Sequence, residues 1–84
     1  MKGTIAFLNL PKGRAAVRTE NDEYSYFEIV DTHEPEQGDT IEGRLESLGS
    51  ETLHNITQNS KFNVFVEDIH STAAGAKKFV AGQI

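Results

Sequence analysis

The sequence predicts an all-β fold: a small barrel of five antiparallel strands with a C-terminal strand and short-helix extension. Three observations predict it. Strand-forming runs rich in aromatic and β-branched residues follow one another along most of the chain, separated by turns built on Pro, Gly, Asn or Asp. Apolar and polar residues alternate within those runs, as in strands with one face buried. The chain has 84 residues, and a domain of this size buries only roughly 60% of the surface its unfolded chain exposes. Closing so small a sheet into a barrel removes unpaired edges while still enclosing a core.

The elements follow in order. Residues 3–8 (GTIAFL) form the first strand. Pro11-Lys12-Gly13 turns the chain, because Pro fixes φ and Gly permits positive φ. Residues 15–19 (AAVRT) form the second strand, 20–23 a polar turn, and 24–30 (YSYFEIV) the third strand. Residues 31–39 (DTHEPEQGD) read as a solvated acidic loop. Residues 40–47 (TIEGRLES) alternate as a fourth strand, with Gly43 marking a bulge or tight bend. Residues 53–57 (LHNIT) form the fifth strand, and residues 58–61 turn. Residues 62–68 (FNVFVED) form a sixth strand or an extension of the sheet. Ser71 is the expected N-cap of a short helix over 72–80, favoured by three alanines and weakened by Gly75. Residues 1–61 are therefore the expected barrel, and residues 62–84 an extension packed on the same domain.

Composition narrows the function. The chain contains no cysteine, so disulfides, cysteine zinc sites and thiol nucleophiles are excluded. No apolar run approaches the roughly 20 residues that span a bilayer, and no signal peptide is visible; a cytoplasmic location is expected. The net charge of −5 opposes nucleic-acid binding taken as a sum, but its distribution does not. Residues 1–18 carry Lys2, Lys12, Arg14 and Arg18 and no acid, whereas residues 19–51 carry 11 acids against Arg44 alone. An acidic protein with a basic stripe can bind a polyanion at the stripe and repel it elsewhere.

Alternation places the candidate site. Arg14, Ala16 and Arg18 share one face of the second strand, and Tyr24, Tyr26 and Glu28 one face of the third, while Val17, Phe27 and Ile29 suit the core. Arginines beside exposed tyrosines suit single-stranded nucleic acid, since rings and guanidinium planes stack on bases and cations meet phosphates. His33, His54 and His70 lack metal-ligand spacing. No serine has a nucleophile-elbow context, and no phosphate-cradling glycine loop occurs. No enzyme, cofactor or metal is expected.

The opening stretch resembles a cold-shock domain, a five-stranded OB-fold barrel that binds single-stranded RNA and DNA. The family pattern is K-G-x-V-K-W-F-N-x-x-K-G-F-G-F-I. Lys2, Gly3, Ile5, Asn9, Lys12, Gly13 and Val17 stand at matching positions. Phe7 replaces the tryptophan and Leu8 a phenylalanine. Arg14 and Ala16 replace the two phenylalanines after the turn. SYFEI at 25–29 aligns with the family's V-F-V-H-F, which puts Tyr26 at a stacking position and Glu28 at the histidine. Gly49, Asn55 and Ile56 match the later G-P-Q-A-A-N-V, so the resemblance covers about residues 2–57. It implies nucleic-acid contacts by Lys2, Phe7, Asn9, Lys12, Arg14, Arg18, Tyr24 and Tyr26, weakened by the missing aromatics. Strict alternation puts Ile5 and Phe7 on one face, yet the resemblance wants Ile5 inside and Phe7 outside. A bulge in the first strand reconciles them; otherwise Phe7 is core. Residues from Phe62 onward have no counterpart in the family and could complete the barrel, cover a sheet face or join a further domain.

The expected function is weak, low-specificity binding of single-stranded RNA or DNA. The alternative is a protein-interaction module that has lost nucleic-acid binding and contacts a protein through its acidic surface or its C-terminal segment, as the N-terminal domain of a longer protein.

Overall fold

The computed structural model describes residues 1–83. Six strands run through them: β1 (Lys2–Asn9), β2 (Arg14–Thr19), β3 (Tyr24–Ile29), β4 (Thr40–Glu42), β5 (Gly49–Asn55) and β6 (Ser60–Ser71). A one-turn 3-10 helix, Leu10–Lys12, joins β1 to β2, and α1 (Ala73–Ala81) follows β6. All strand pairs are antiparallel, and the strands close in the order β1-β2-β3-β6-β5-β4, with β4 returning to β1. The expected five-stranded barrel is thus a six-stranded one. The sixth strand is not an appendix: β6 lies between β3 and β5, and its inward residues Phe62, Val64 and Val66 are buried in the core.

The core is built by alternation. Ile5, Val17, Phe27, Ile41, Leu53 and Phe62 are all buried and belong to one cluster inside the barrel. Val17 pairs with Ile5 and Phe27 with Val66, so neighbouring strands send matched apolar side chains inward. Burying each such side chain stabilises the fold by about 1.5–3 kcal/mol.

Of the two alternatives for β1, a bulge or a buried Phe7, the structure has the bulge. Ile5 pairs with Val17 and Phe7 with Ala16, which leaves Ala6 without a partner. The extra residue rephases the alternation. Ile5 is 1% exposed while Phe7 is partly exposed on the outer surface.

Several boundaries differ from the sequence reading. β4 stops at Glu42 rather than continuing to residue 47, because Gly43 takes φ 150° and the chain turns there. A side chain at Gly43 would meet Leu53 Cδ2 at 2.8 Å, so the bend needs glycine. β5 starts at Gly49, not residue 53, since it pairs with β6 along its whole length. Thr72, not Ser71, caps α1: its Oγ1 accepts from Gly75 N at 3.1 Å, while Ser71 still pairs with Tyr24 as the end of β6. The acidic stretch 31–39 is not a wholly solvated loop. Asp39 is 5% exposed, and its Oδ2 accepts from Glu36 N, Asn55 Nδ2 and Gln58 Nε2 at 2.8–2.9 Å. Burial alone would raise the Asp39 carboxyl, but these donors, with His33 nearby, hold it below the ordinary carboxylate value. His33 stacks on Phe62 with ring centroids 4.5 Å apart.

Candidate nucleic-acid interface

The outer face of β1, β2 and β3 carries the residues singled out in the sequence. Strand register arranges them in three rows: Thr4, Arg18 and Tyr24; then Phe7, Ala16 and Tyr26; then Asn9, Arg14 and Glu28. The bulge at Ala6 is what admits Phe7 to the middle row. All eight predicted residues lie on or beside this face, but the structure divides them into two groups.

The first group borders the open end of the face. Phe7 and Tyr24 lie with ring centroids 5.8 Å apart and planes within 14° of parallel, each partly exposed. Lys2, Arg18, Phe7 and Tyr24 share a shallow groove of about 470 Å³. Arg18 Nε pairs with Asp22 at 2.7 Å, both side chains being more than half exposed. An ion pair this open is worth little, so the guanidinium can exchange Asp22 for another anion. Phe7 also walls a second groove, about 590 Å³, lined by Asn9, Leu10, Lys77 and Val80. The ring therefore stands as a ridge between two depressions.

The second group is covered. α1 lies across the face and packs Ala76, Phe79 and Val80 against Ala16, Phe7, Tyr24 and Tyr26. Tyr26 stacks on Phe79 at 4.4 Å, with planes 23° apart. Arg14 places its guanidinium carbon 4.5 Å from the Phe79 ring centre and donates from Nη1 to the Phe79 carbonyl at 2.9 Å. Asn9 Nδ2 donates to the Val80 carbonyl at 2.9 Å, while Asn9 Oδ1 accepts from Lys12 N at 3.3 Å. Lys12 lies against Gly82, where an added Cβ would meet its Cε at 2.6 Å. Lys77 Nζ sits 5.5 Å from the centre of the Phe7 ring.

Two placements correct the sequence reading. Ala16 was expected on a solvent-facing surface with Arg14 and Arg18; it is 0% exposed, because α1 covers it. Its small side chain lets the helix approach the sheet. Tyr26 was expected as a free stacking ring, and its partner is Phe79. Burial raises the Tyr26 hydroxyl above its ordinary value, and its hydrogen bond to Asp68 Oδ2, at 3.2 Å, adds to the rise. The phenol stays neutral and donating.

The helix was visible in the sequence, but its docking surface was not. A small residue at position 16, where the family carries phenylalanine, and the apolar pair Phe79-Val80 on a short helix were the available signals.

Comparison with known proteins identifies no relative. No family model matches the chain, and neither the curated proteins nor the solved structures provide a match. Among the described residues no helix is long and apolar enough to cross a membrane.

One further cluster lies at the edge of the face. His70 Nδ1 is 2.8 Å from Glu23 Oε1 and 3.4 Å from Glu46 Oε2. The hydrogen bond to Glu23 raises the imidazole above its ordinary value, and the neighbouring carboxylates reinforce it. The arrangement holds the His70 ring between two carboxylates from separate turns.

Six of the chain's eight lysines and arginines, Lys2, Lys12, Arg14, Arg18, Lys77 and Lys78, lie on this side of the barrel or on the helix that covers it. The charge asymmetry of the sequence is carried into space.

Proposed function

We propose that the protein is a binding module, not a catalyst, and that it binds single-stranded RNA or DNA weakly at the Phe7–Tyr24 platform. The near-parallel, partly exposed pair of rings beside Lys2 and Arg18 carries this reading. Every base offers a π-face, so stacking on Phe7 and Tyr24 tolerates any sequence. Lys2 and Arg18 border the rings, where phosphates of a stacked strand run. Asp22 and Glu20 stand beside the same groove and keep the affinity low. The resemblance of residues 2–57 to cold-shock domains is consistent with this use of the face.

Anisotropy titration of a labelled pyrimidine-rich oligonucleotide at low salt tests the proposal. The expected dissociation constant is on the order of hundreds of micromolar or tighter, and with about two phosphates neutralised log K falls against log salt with a slope of about −1.4. Each of Phe7→Leu and Tyr24→Leu is expected to weaken binding about fivefold or more, given about 1–3 kcal/mol per stacked base. Binding that is absent, or indifferent to salt, overturns the reading.

The docked α1 favours a second reading, a protein-interaction module. A face that accepts one amphipathic helix by burying Phe79 and Val80 has the chemistry to accept another from a partner. Resonance mapping separates the two. Oligonucleotide-induced shifts at Lys2, Phe7, Arg18 and Tyr24 support the first, and silence there favours the second.

A further inference from the structure

We propose that α1 is an intramolecular stand-in for nucleic acid, and that the surface beneath it is a second subsite which a longer single strand enters by displacing the helix. The inference rests on the reading of Phe7 and Tyr24 as a base-stacking platform.

Three side chains of the barrel, Tyr26, Arg14 and Asn9, meet α1 as they would meet a nucleotide; beside them Ala76 and Val80 make apolar packing with Ala16, and Lys77 Nζ lies 5.5 Å from the Phe7 ring centre. Phe79 lies on Tyr26 at 4.4 Å, where a base would stack. The Arg14 guanidinium donates to a carbonyl oxygen and lies over a ring, the two things it does to a phosphate oxygen and a base. The Asn9 amide donates to a second carbonyl. Both acceptors, Phe79 O and Val80 O, belong to the last turn of α1, the partially negative end of the helix. Two parts of the ligand chemistry are therefore matched, a planar ring and two acceptor oxygens, while Lys77 and Lys78 offset the negative end of the helix.

The helix is also built to leave. It has nine residues, fewer than an isolated helix needs to persist in water. Gly75 lies within it, and no acidic residue stabilises its first turn. Only Ala76, Phe79 and Val80 are buried, all on the outer surface of the barrel, so undocking leaves the core of Ile5, Phe27 and Phe62 closed. Thr72 alone separates it from β6, which keeps the displaced segment tethered at high local concentration. Binding at the covered subsite is then weakened by the small fraction of molecules with α1 undocked.

Two oligothymidylates, about three and about nine nucleotides long, test this with the full chain, since single-strand sites on one barrel span about 4–16 nucleotides. Phe79→Ala loosens the cover. The shorter oligomer is expected to bind the native protein and the variant alike, and the longer one to bind the variant about fivefold or more tightly, the worth of one added stacked base. Adding Tyr26→Leu to Phe79→Ala should remove that gain. In the native protein the longer oligomer should speed amide exchange at Ala76–Val80. That second measurement needs no variant to fold. Unchanged or weaker binding of the longer oligomer by Phe79→Ala, or increased protection of α1 when it binds, overturns the displacement while leaving the platform standing. Binding seen only in Phe79→Ala supports the covered subsite and refutes the exposed platform. No binding by either protein overturns both.

Discussion

Thr19 carries a buried side-chain oxygen with no hydrogen-bond partner among the described residues. A buried hydroxyl left unsatisfied costs about 1–3 kcal/mol. Thr19→Val keeps the branched shape that suits a strand and removes the orphan oxygen. It is expected to raise stability by about 1 kcal/mol, measured as a higher urea midpoint at constant slope; a lower midpoint would show that the hydroxyl has a partner in solution. Asp39 is the opposite case, a buried carboxylate with three donors. Because its folded value is held below the unfolded one, its contribution is present above the unfolded carboxylate pKa and is lost as pH falls through the folded value. Asp39→Asn should cost about 1–3 kcal/mol near neutral pH and flatten the loss of stability on acidification. Parallel acid limbs for the two proteins would rule this account out. Neither environment was legible in the sequence. Thr19 ends a strand whose alternation says only which way it points. Asp39 sat among acids that read as solvated, and Asn55 and Gln58, which donate to it, come from the end of β5 and the turn after it.

At the scale of the element, α1 shows how a short helix depends on its ends and its dock. Thr72 satisfies its first turn, and Gly82, at φ 83°, closes the last with Gly82 N to Phe79 O and Gln83 N to Lys78 O. This is a glycine-terminated helix end with both crossing hydrogen bonds made. Gly82→Ala places Cβ against the stem of Lys12 and a left-handed backbone under strain of about 1–2 kcal/mol. The expected result is faster amide exchange at the end of α1 with barrel strands unaffected; uniform protection in both proteins would contradict it. The end of β6 is held differently. His70, itself left-handed at φ 52°, ties that strand to Glu23 before β3 and to Glu46 in the turn after β4. Its folded value is raised, so the clamp acts fully below the ordinary imidazole value of 6.5 and is lost as pH rises through the folded value. The urea midpoint of the native protein is expected to fall as pH rises from 6.5 through the raised folded value, and that of His70→Ala to fall less. Equal slopes in the two proteins would exclude the clamp.

For the whole molecule, closure is the decisive property. β6 pairs with both β3 and β5 and supplies Phe62, Val64 and Val66 to the core. A fragment ending at residue 61 would open the barrel between β3 and β5 and expose two unpaired edges. It is expected to be unfolded by circular dichroism and amide exchange, whereas a cooperative melting transition would show that five strands suffice. The same closure puts the cations of β1, β2 and α1 on one side, which gives an acidic chain a local surface that a polyanion can approach.

Local pattern was enough to establish the antiparallel order of the early strands and the inward facing of Val17 and Phe27; for β1 it left a bulge and a buried Phe7 as alternatives. Period-two alternation and turn residues act over a few positions, so they can be read without knowing the rest of the fold. The number of strands in the barrel, the burial of Asp39 and the covering of Tyr26 and Arg14 were settled by contacts between residues far apart in the chain. Alternation distinguishes the inner from the outer face of a strand, but it does not say what lies on the outer one. For the β1–β2–β3 face the occupant is a helix from the other end of the chain, held by one ring, two carbonyl oxygens and a glycine.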